Sequence, residues 1–423
     1  MQPALPRGFR DVLLDEARER EWVVSTVTAL FSAWGYDPVE TPIVEEYRTL
    51  EAGVGAGLED TAFRLFDLDG SLLALRPEMT VPIARVVASR LAGTPGPHRI
   101  RYASQVFREH ASLRGQARQF TQIGVELIGA RGPAADVEMV VLLLGALEAA
   151  GLRSFLVGMG TADVLRALLD RAGGPQQWRV AAVAAAQSRN LVELDRLATR
   201  QDLLPEVARA LREIPRVSGG HEALERCREL ADPCGCAGSL ESLAQTWQVL
   251  EDLGVTARVQ LDFGIMRSFA YYTGLQLEAY APGLGLPLAG GGRYDGVLSA
   301  YGHPAPAAGF ALGLERVMIA LAEQDATPAL EPLDAVLGGE RTAEVFRAAA
   351  QLRESGWRVR VASGVTGLAL VREADSRGAA EALLADDGRI RRLDRAGEPA
   401  TALGTPLPAA PRFTWAVRGG DAE

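Results

Sequence analysis

Two runs of alternating residues, Ile100–Phe107 and Phe120–Ile128, read as β-strands joined by a polar, arginine-bearing loop. This pairing constrains the fold more than any other stretch, because it fixes an antiparallel sheet at the centre of the chain. The stretch from Phe107 to Gly129 reads FREHASLRGQARQFTQIGVELIG. In its second half Gln122 and Glu126 lie four residues apart on a strand, so their side chains share one face. An amide and a carboxylate on one face are either the wet side of a sheet or the lining of a polar pocket.

The surrounding pattern predicts how that sheet is covered. A helical apolar period from about residue 12 to 34 ends at Gly35. Tyr36–Ile43, YDPVETPI, reads as a strand whose prolines suit an edge or an interface. Phe63–Leu75 alternates around Asp69-Gly70, a hairpin signal. Arg76–Leu91 reads as a helix with Pro77 near its start, and Ala134–Ala150 as an apolar helix closed by Gly151. From about residue 164 to 251 the chain is helical and Ala/Leu/Arg-rich, the mark of an inserted helical segment. Strands resume at Val259–Phe263 and Gly274–Ala281, a glycine run spans Gly290–Gly292, and Ala307–Ala322 reads as a strand leading into a helix. Pro328–Pro332 reads as a linker. Beyond it a β-α-β pattern with a helix near Ala343–Ser355 predicts a small α/β domain. The expected class is α+β: a core over residues 1–325 and a small α/β domain over residues 332–423.

Composition excludes some chemistry. All 44 basic residues are arginine, which biased codon usage is enough to explain. No Schiff-base or P-loop lysine is available, so a phosphate contact must come from arginine or backbone amides. The net charge of −10 argues against broad nucleic-acid binding. Cys227, Cys234 and Cys236 cluster in RCRELADPCGC with His221 as the one close fourth donor, and the expectation is reduced thiols and no metal. No apolar run reaches spanning length and the first ten residues lack signal-peptide order, so the expected location is the cytoplasm, away from membranes.

Seven fragments occur in one order over about residues 6–325: GFRD, GYDPVETP, LRPEMT, the Phe107 stretch, YYTG, GGGRYDG and GFALGLER. Together they resemble the catalytic core of histidyl-tRNA synthetase, a class II aminoacyl-tRNA synthetase. They resemble still more the synthetase-derived regulatory subunits of ATP phosphoribosyltransferase. The resemblance implies an antiparallel class II sheet flanked by helices, and a C-terminal domain like a shortened anticodon-binding domain.

It also implies a histidine pocket. Glu78 and Thr80 of LRPEMT match the groups that hold the substrate α-amino group, and an ammonium needs such acceptors. Arg108 matches the arginine near the histidine carboxylate and the ATP α-phosphate. Gln122 and Glu126 match the polar pair lining the amino-acid pocket. Arg267, Tyr271 and Tyr272 match the residues closing it, with Tyr294 stacking nearby. Each residue alone has a plainer reading: a helix-starting Glu78, a solvated strand face for Gln122 and Glu126, core tyrosines. Met79 either intrudes on the nucleotide side or simply packs.

The nucleotide side departs from the synthetase pattern. The clamp Phe-Arg-x-Glu has His110 at its glutamate position, and strand alternation aims Glu109 to the opposite face. A second loop arginine falls on Gln116, with Arg114 or Arg118 as partial substitutes. The aspartate of RGLDYY is Ala270, while Arg316 is retained as a residual nucleotide-side group. Positioned cations are worth orders of magnitude in phosphoryl chemistry, so their loss erodes catalysis while leaving histidine recognition intact.

The resemblance therefore implies a non-catalytic regulatory subunit, with no catalytic residues and no cofactor. It would pair with a short-form catalytic subunit of ATP phosphoribosyltransferase and convey feedback inhibition by histidine. It would form a homodimer within a hetero-octamer, with Tyr36–Pro42 as candidate interface. The rival is an active histidyl-tRNA synthetase needing ATP, magnesium and tRNA. Acidic and basic residues are balanced in the tail, which shows no basic stripe, so nucleic acid is not expected as a partner.

Overall fold

The structure, a computed structural model, describes residues 4–54, 58–109, 117–200, 202–265, 272–329 and 332–403. Contacts divide the chain into two units, Met1–Thr327 and Pro328–Glu423.

The first unit is organised by one twisted sheet. In spatial order its strands are Asp37–Pro38, His98–Phe107, Gln119–Ile128, Ala307–Gly313, Ala289–Arg293, Leu275–Tyr280, Leu156–Thr161, Val259–Asp262 and Ser218–Gly219. Neighbours run antiparallel except at Asp37–Pro38 beside His98–Phe107 and at Leu156–Thr161 beside Val259–Asp262, which are parallel. Alternation sorts the two faces. Ile123, Val125, Leu127, Leu277 and Phe310 pack on Val23, Val27 and Phe31 of the helix Leu14–Ala33 and on Met139, Leu143 and Leu147 of the helix Pro133–Ala149. The opposite face carries the candidate site.

The central expectations hold in detail, and four differ. Tyr36–Ile43 supplies only the two-residue strand Asp37–Pro38, since prolines at 38 and 42 cannot donate to a ladder. The helix expected from Arg76 begins at Thr80, leaving Pro77 outside it, and its last turn, Val87–Leu91, is π-helical. The glycine run is itself the strand Ala289–Arg293. The insertion is helical, from Asp163–Ala172 through Glu241–Asp252, but Ser218–Gly219 within it joins the sheet. Leu165, Leu168, Val207, Leu211 and Leu250 merge its apolar faces into the main core.

A three-stranded sheet, Val44–Glu46, Leu72–Leu75 and Arg64–Phe66, includes the expected hairpin around Asp69-Gly70. With the helix Thr80–Val86 it builds a second core of Leu50, Ala74, Met79, Ile83, Tyr102 and Leu298. Met79 is fully buried there, which is the packing role.

The three cysteines are buried in the insertion, and burial pushes the Cys227 thiol up to about 12. The Cys234 and Cys236 thiols donate to the Leu230 and Cys234 carbonyls at 3.5 Å each. The His221 Nδ1 lies 3.4 Å from Glu251, not against the thiols. Among the described residues no helix is long and apolar enough to cross a membrane.

In the second unit the sheet order is Val359–Ser363, Ala335–Gly339, Glu381–Asp386, Arg389–Leu393 and Pro399–Ala402. The first three strands are parallel. The helix Thr342–Glu354 packs Val345, Ala349 and Leu352 on one face, and Gly367–Ser376 packs Leu370 and Ala374 on the other.

Candidate functional site

Register places the site. Residues directly opposite each other in adjacent strands point to the same face. Glu126 faces Gly309, Gly309 faces Gly292, and Gly292 faces Gln276. The strands between Glu126 and Gln276 thus present glycine, and the sheet forms a bare floor there. A Cβ on Gly309 would overlap Glu126 Oε2, so this glycine makes room for the carboxylate.

Glu126 is 1% exposed, not on the wet side of the sheet. Its Oε1 accepts the Thr80 hydroxyl at 2.8 Å and the Tyr102 hydroxyl at 3.2 Å, and its Oε2 accepts the Tyr294 hydroxyl. Burial pushes its pKa up to about 8, and the Glu78 charge adds to the rise, while the three hydroxyls oppose it.

Glu78 serves two ends at once. Its carboxylate accepts Thr80 N–H at 2.7 Å and Val81 N–H at 2.9 Å, satisfying free amides at the start of the helix Thr80–Val86. This is the helix-starting role, and it also fixes a second carboxylate near enough for its charge to act on Glu126. Burial raises the Glu78 pKa above the usual carboxylate range.

Two arginines lie on the same side as Glu78. Arg108 donates from Nε to the Pro77 carbonyl at 2.7 Å, with its guanidinium 5.3 Å from the Phe120 ring centroid. Burial lowers its pKa; Glu78 opposes that lowering and the like charge of Arg316 adds to it. Arg316, in the first turn of the helix Leu314–Glu323, donates to the Pro287 carbonyl at 2.7 Å.

Gln122 is partly buried, and its Oε1 has no hydrogen-bond partner among the described residues. The Tyr272 ring comes down on the floor, with Cδ1 3.0 Å from where a Cβ on Gly292 would lie. Burial and then the Glu126 and Glu78 charges raise the Tyr272 pKa. Arg166 of the insertion reaches this segment, donating to the Tyr272 carbonyl at 3.0 Å.

The structure thus gathers Glu78, Thr80, Gln122, Glu126 and Tyr272 on one face of the sheet, with Arg108 near Glu78 and Arg316 near Arg108. Arg267 and Tyr271 lie outside the described residues, as do His110, Arg114, Gln116 and Ala270. Tyr294 donates a hydrogen bond to Glu126 where stacking is the expectation. Tyr102 is not singled out by any motif. The signal for it is Gly124, opposite it in the ladder, where a Cβ would fall 2.6 Å from the Tyr102 hydroxyl.

Arg118, a candidate substitute for the missing loop arginine, is engaged elsewhere. It pairs with Glu109 and lies 4.4 Å from the Phe63 ring centroid and 5.9 Å from that of Phe9. Tyr36, in the candidate interface, is 2% exposed and donates to Glu138 at 2.7 Å, so of that segment Asp37, Pro38, Glu40 and Pro42 are the residues that reach the surface.

With this geometry in place, likeness to known proteins is informative. The family model for histidyl-tRNA synthetase matches residues 8–317. The ATP phosphoribosyltransferase regulatory subunit of Moorella thermoacetica is 40% identical over 352 residues, covering 83% of this chain and 90% of that one. The crystal structure of an ATP phosphoribosyltransferase regulatory subunit/histidyl-tRNA synthetase from Bacillus halodurans superposes with a TM-score of 0.78 at 31% identity, covering 89% of this chain and 97% of that one. Histidyl-tRNA synthetase from Nostoc, at 22% identity, shares the fold with a TM-score of 0.77 over 95% of this chain and 96% of its own. The chain belongs to the histidyl-tRNA synthetase family, and within it to the ATP phosphoribosyltransferase regulatory subunits.

Proposed function

We propose that this chain is a non-catalytic regulatory subunit that senses histidine at the Glu126 pocket and conveys feedback inhibition to a short-form ATP phosphoribosyltransferase catalytic subunit in the cytoplasm. The observation carrying the reading is the buried Glu126 carboxylate, fixed by Thr80, Tyr102 and Tyr294, beside Glu78 and an unpartnered Gln122 oxygen. An acceptor-rich end suits an ammonium and imidazole N–H groups, and the guanidiniums of Arg108 and Arg316 suit a carboxylate. Arg267, Tyr271 and Tyr272 complete the proposed histidine contacts. Histidine controls the partner only if it binds one arrangement of the complex better than another. The assembly we propose is a hetero-octamer built on a homodimer, with the exposed part of Tyr36–Pro42 at the dimer contact.

The rival reading, an active histidyl-tRNA synthetase, is favoured by the retained Arg108 and Arg316. His110, Gln116 and Ala270 stand against it in the sequence, and Arg118 is already paired with Glu109. Two measurements on the purified chain separate the readings. Calorimetry with histidine should show binding, and its absence from both chain and complex defeats the sensor. Histidine-dependent ATP–pyrophosphate exchange should be absent, and robust exchange establishes the synthetase.

A further inference from the structure

The helical insertion meets the pocket at Arg166. The helix Asp163–Ala172 follows the sheet strand Leu156–Thr161 with Ala162 alone between them, so its first turn starts at the sheet. Arg166 stands one turn along, partly buried. Its Nη1 donates to Asp163 Oδ1 at 2.9 Å and its Nη2 to the Tyr272 carbonyl at 3.0 Å. The same side chain lines a surface hollow of about 330 Å³ between this helix and the helix Gln176–Gln187, beside Leu169 and Val183. One guanidinium thus reaches from the insertion surface to the backbone of a pocket residue.

Tyr272 belongs to the pocket by its ring, which lies on the glycine floor at Gly292 and whose phenol feels the Glu126 and Glu78 charges. The chain just beyond it is fixed without Arg166. Thr273 N–H donates to the Arg293 carbonyl at 2.7 Å, the Thr273 hydroxyl accepts Asp295 N–H at 2.9 Å, and Ala162 N–H donates to the Gly274 carbonyl at 3.2 Å. Arg166 therefore acts on Tyr272 next to an anchored point, where a small shift of the helix turns the residue rather than carrying the whole segment along.

We propose that Arg166 is a positioning residue of the effector pocket: it holds the Tyr272 backbone and couples occupancy of the pocket to the helix Asp163–Ala172. A planar fork bonded to a carboxylate on its own helix and to a carbonyl of the pocket transmits displacement in either direction. Coupling is reciprocal, so histidine that fixes Tyr272 also steadies the helix, and loosening the helix weakens histidine. This inference deepens the reading of the pocket as a histidine site and rests on it.

The test uses the full chain and three variants, Arg166→Met, Arg166→Lys and Arg179→Met, with L-histidine as the probe. Arg179 lines the same hollow and binds Asp170 and the Leu169 carbonyl, so its loss perturbs the insertion without touching Tyr272. Calorimetry should show about a tenfold loss of histidine affinity for Arg166→Met, partial recovery for Arg166→Lys, which keeps a charged donor, and parent affinity for Arg179→Met. Hydrogen exchange at saturating histidine should slow in the amides of Asp163–Ala172 by about tenfold or more in the parent and in Arg179→Met, and should not respond in Arg166→Met. A merely structural arginine would lower the ligand-free stability and leave that response in place. Undiminished affinity in Arg166→Met, a retained exchange response, or equal losses from Arg166→Met and Arg179→Met each overturn the proposal and leave the effector pocket standing. No histidine binding by the parent removes the reading on which the proposal rests.

Discussion

Gly309 stands directly opposite Glu126 in the ladder, and a Cβ on it would overlap the Glu126 carboxylate and come 2.5 Å from the Val125 carbonyl. The burial of Glu126 therefore depends on a missing side chain one strand away. Gly309→Ala should displace the carboxylate from Thr80 and Tyr294, weaken histidine binding by tenfold or more, and destabilise the fold by about 1–3 kcal/mol through overpacking. Calorimetry and urea denaturation read the two effects. Undiminished binding contradicts the assigned geometry.

The pH dependence of stability has a definite sign. Burial holds the folded pKa of Glu126 at about 8, against 4.5 for an ordinary glutamate. Between those values the folded chain keeps a proton that the unfolded chain has lost. This group therefore contributes stability at low pH that fades as pH rises through 8, with a limiting slope of about 1.4 kcal/mol per pH unit. Glu126→Gln should flatten that component, and its urea midpoint should gain on the parent most above about pH 8. A parallel pH profile in parent and variant would show that Glu126 titrates normally.

Arg293 and Asp136 form a buried pair, 8% and 3% exposed, with Nη2–Oδ1 at 2.6 Å and Nε–Oδ1 at 3.0 Å. Arg293 immediately precedes Tyr294, so the pair anchors the strand end that presents a Glu126 donor. Arg293→Met leaves a buried carboxylate unpaired and should cost about 3–5 kcal/mol in the first unit. Arg341→Ala, which breaks an exposed pair with Asp387, should cost at most about 1 kcal/mol. Similar losses from both would contradict the burial argument.

Arg118 ties the N-terminal segment to the base of the central hairpin. Its backbone N–H donates to the Gly8 carbonyl at 2.9 Å, its guanidinium donates to the Arg7 carbonyl at 3.2 Å, and its side chain lies against Phe63 and Phe9. Arg118→Met keeps the backbone contact and loses the rest. Limited trypsin digestion should then cut faster after Arg7 and Arg10, and an unaltered cleavage rate would show that the segment is held by other means.

Much of the fold was legible because Gln119–Ile128 alternates apolar Ile123, Val125 and Leu127 with Gln122, Gly124 and Glu126, and because Val23, Val27 and Phe31 recur four residues apart along Leu14–Ala33. Three features were not. Glycine reads as a strand breaker, yet Gly290–Gly292 form a strand, and at Gly291 and Gly292 neighbouring backbone, Phe310 and the Tyr272 ring occupy the space that side chains would need. Thr80, not Arg76, begins its helix because Glu78 supplies acceptors to the first free amides. Ser218–Gly219 is too short to leave a period in a helical stretch. Within the site, spacing on one strand put Gln122 and Glu126 on one face, but Tyr102 and Tyr294 reach Glu126 from other strands. That convergence is a matter of register, and a single sequence does not state register.

The central claim is tested most directly by titrating histidine into the complex with a short-form catalytic subunit while following phosphoribosyl-ATP formation, for the parent chain and for Glu126→Gln. The account predicts that histidine inhibits the parent complex, and that the variant complex turns over comparably without histidine but resists inhibition by tenfold or more in histidine concentration, since an amide does not reproduce the hydrogen bonds of the carboxyl group. Equal inhibition of parent and variant complexes, or none in the parent, would contradict it.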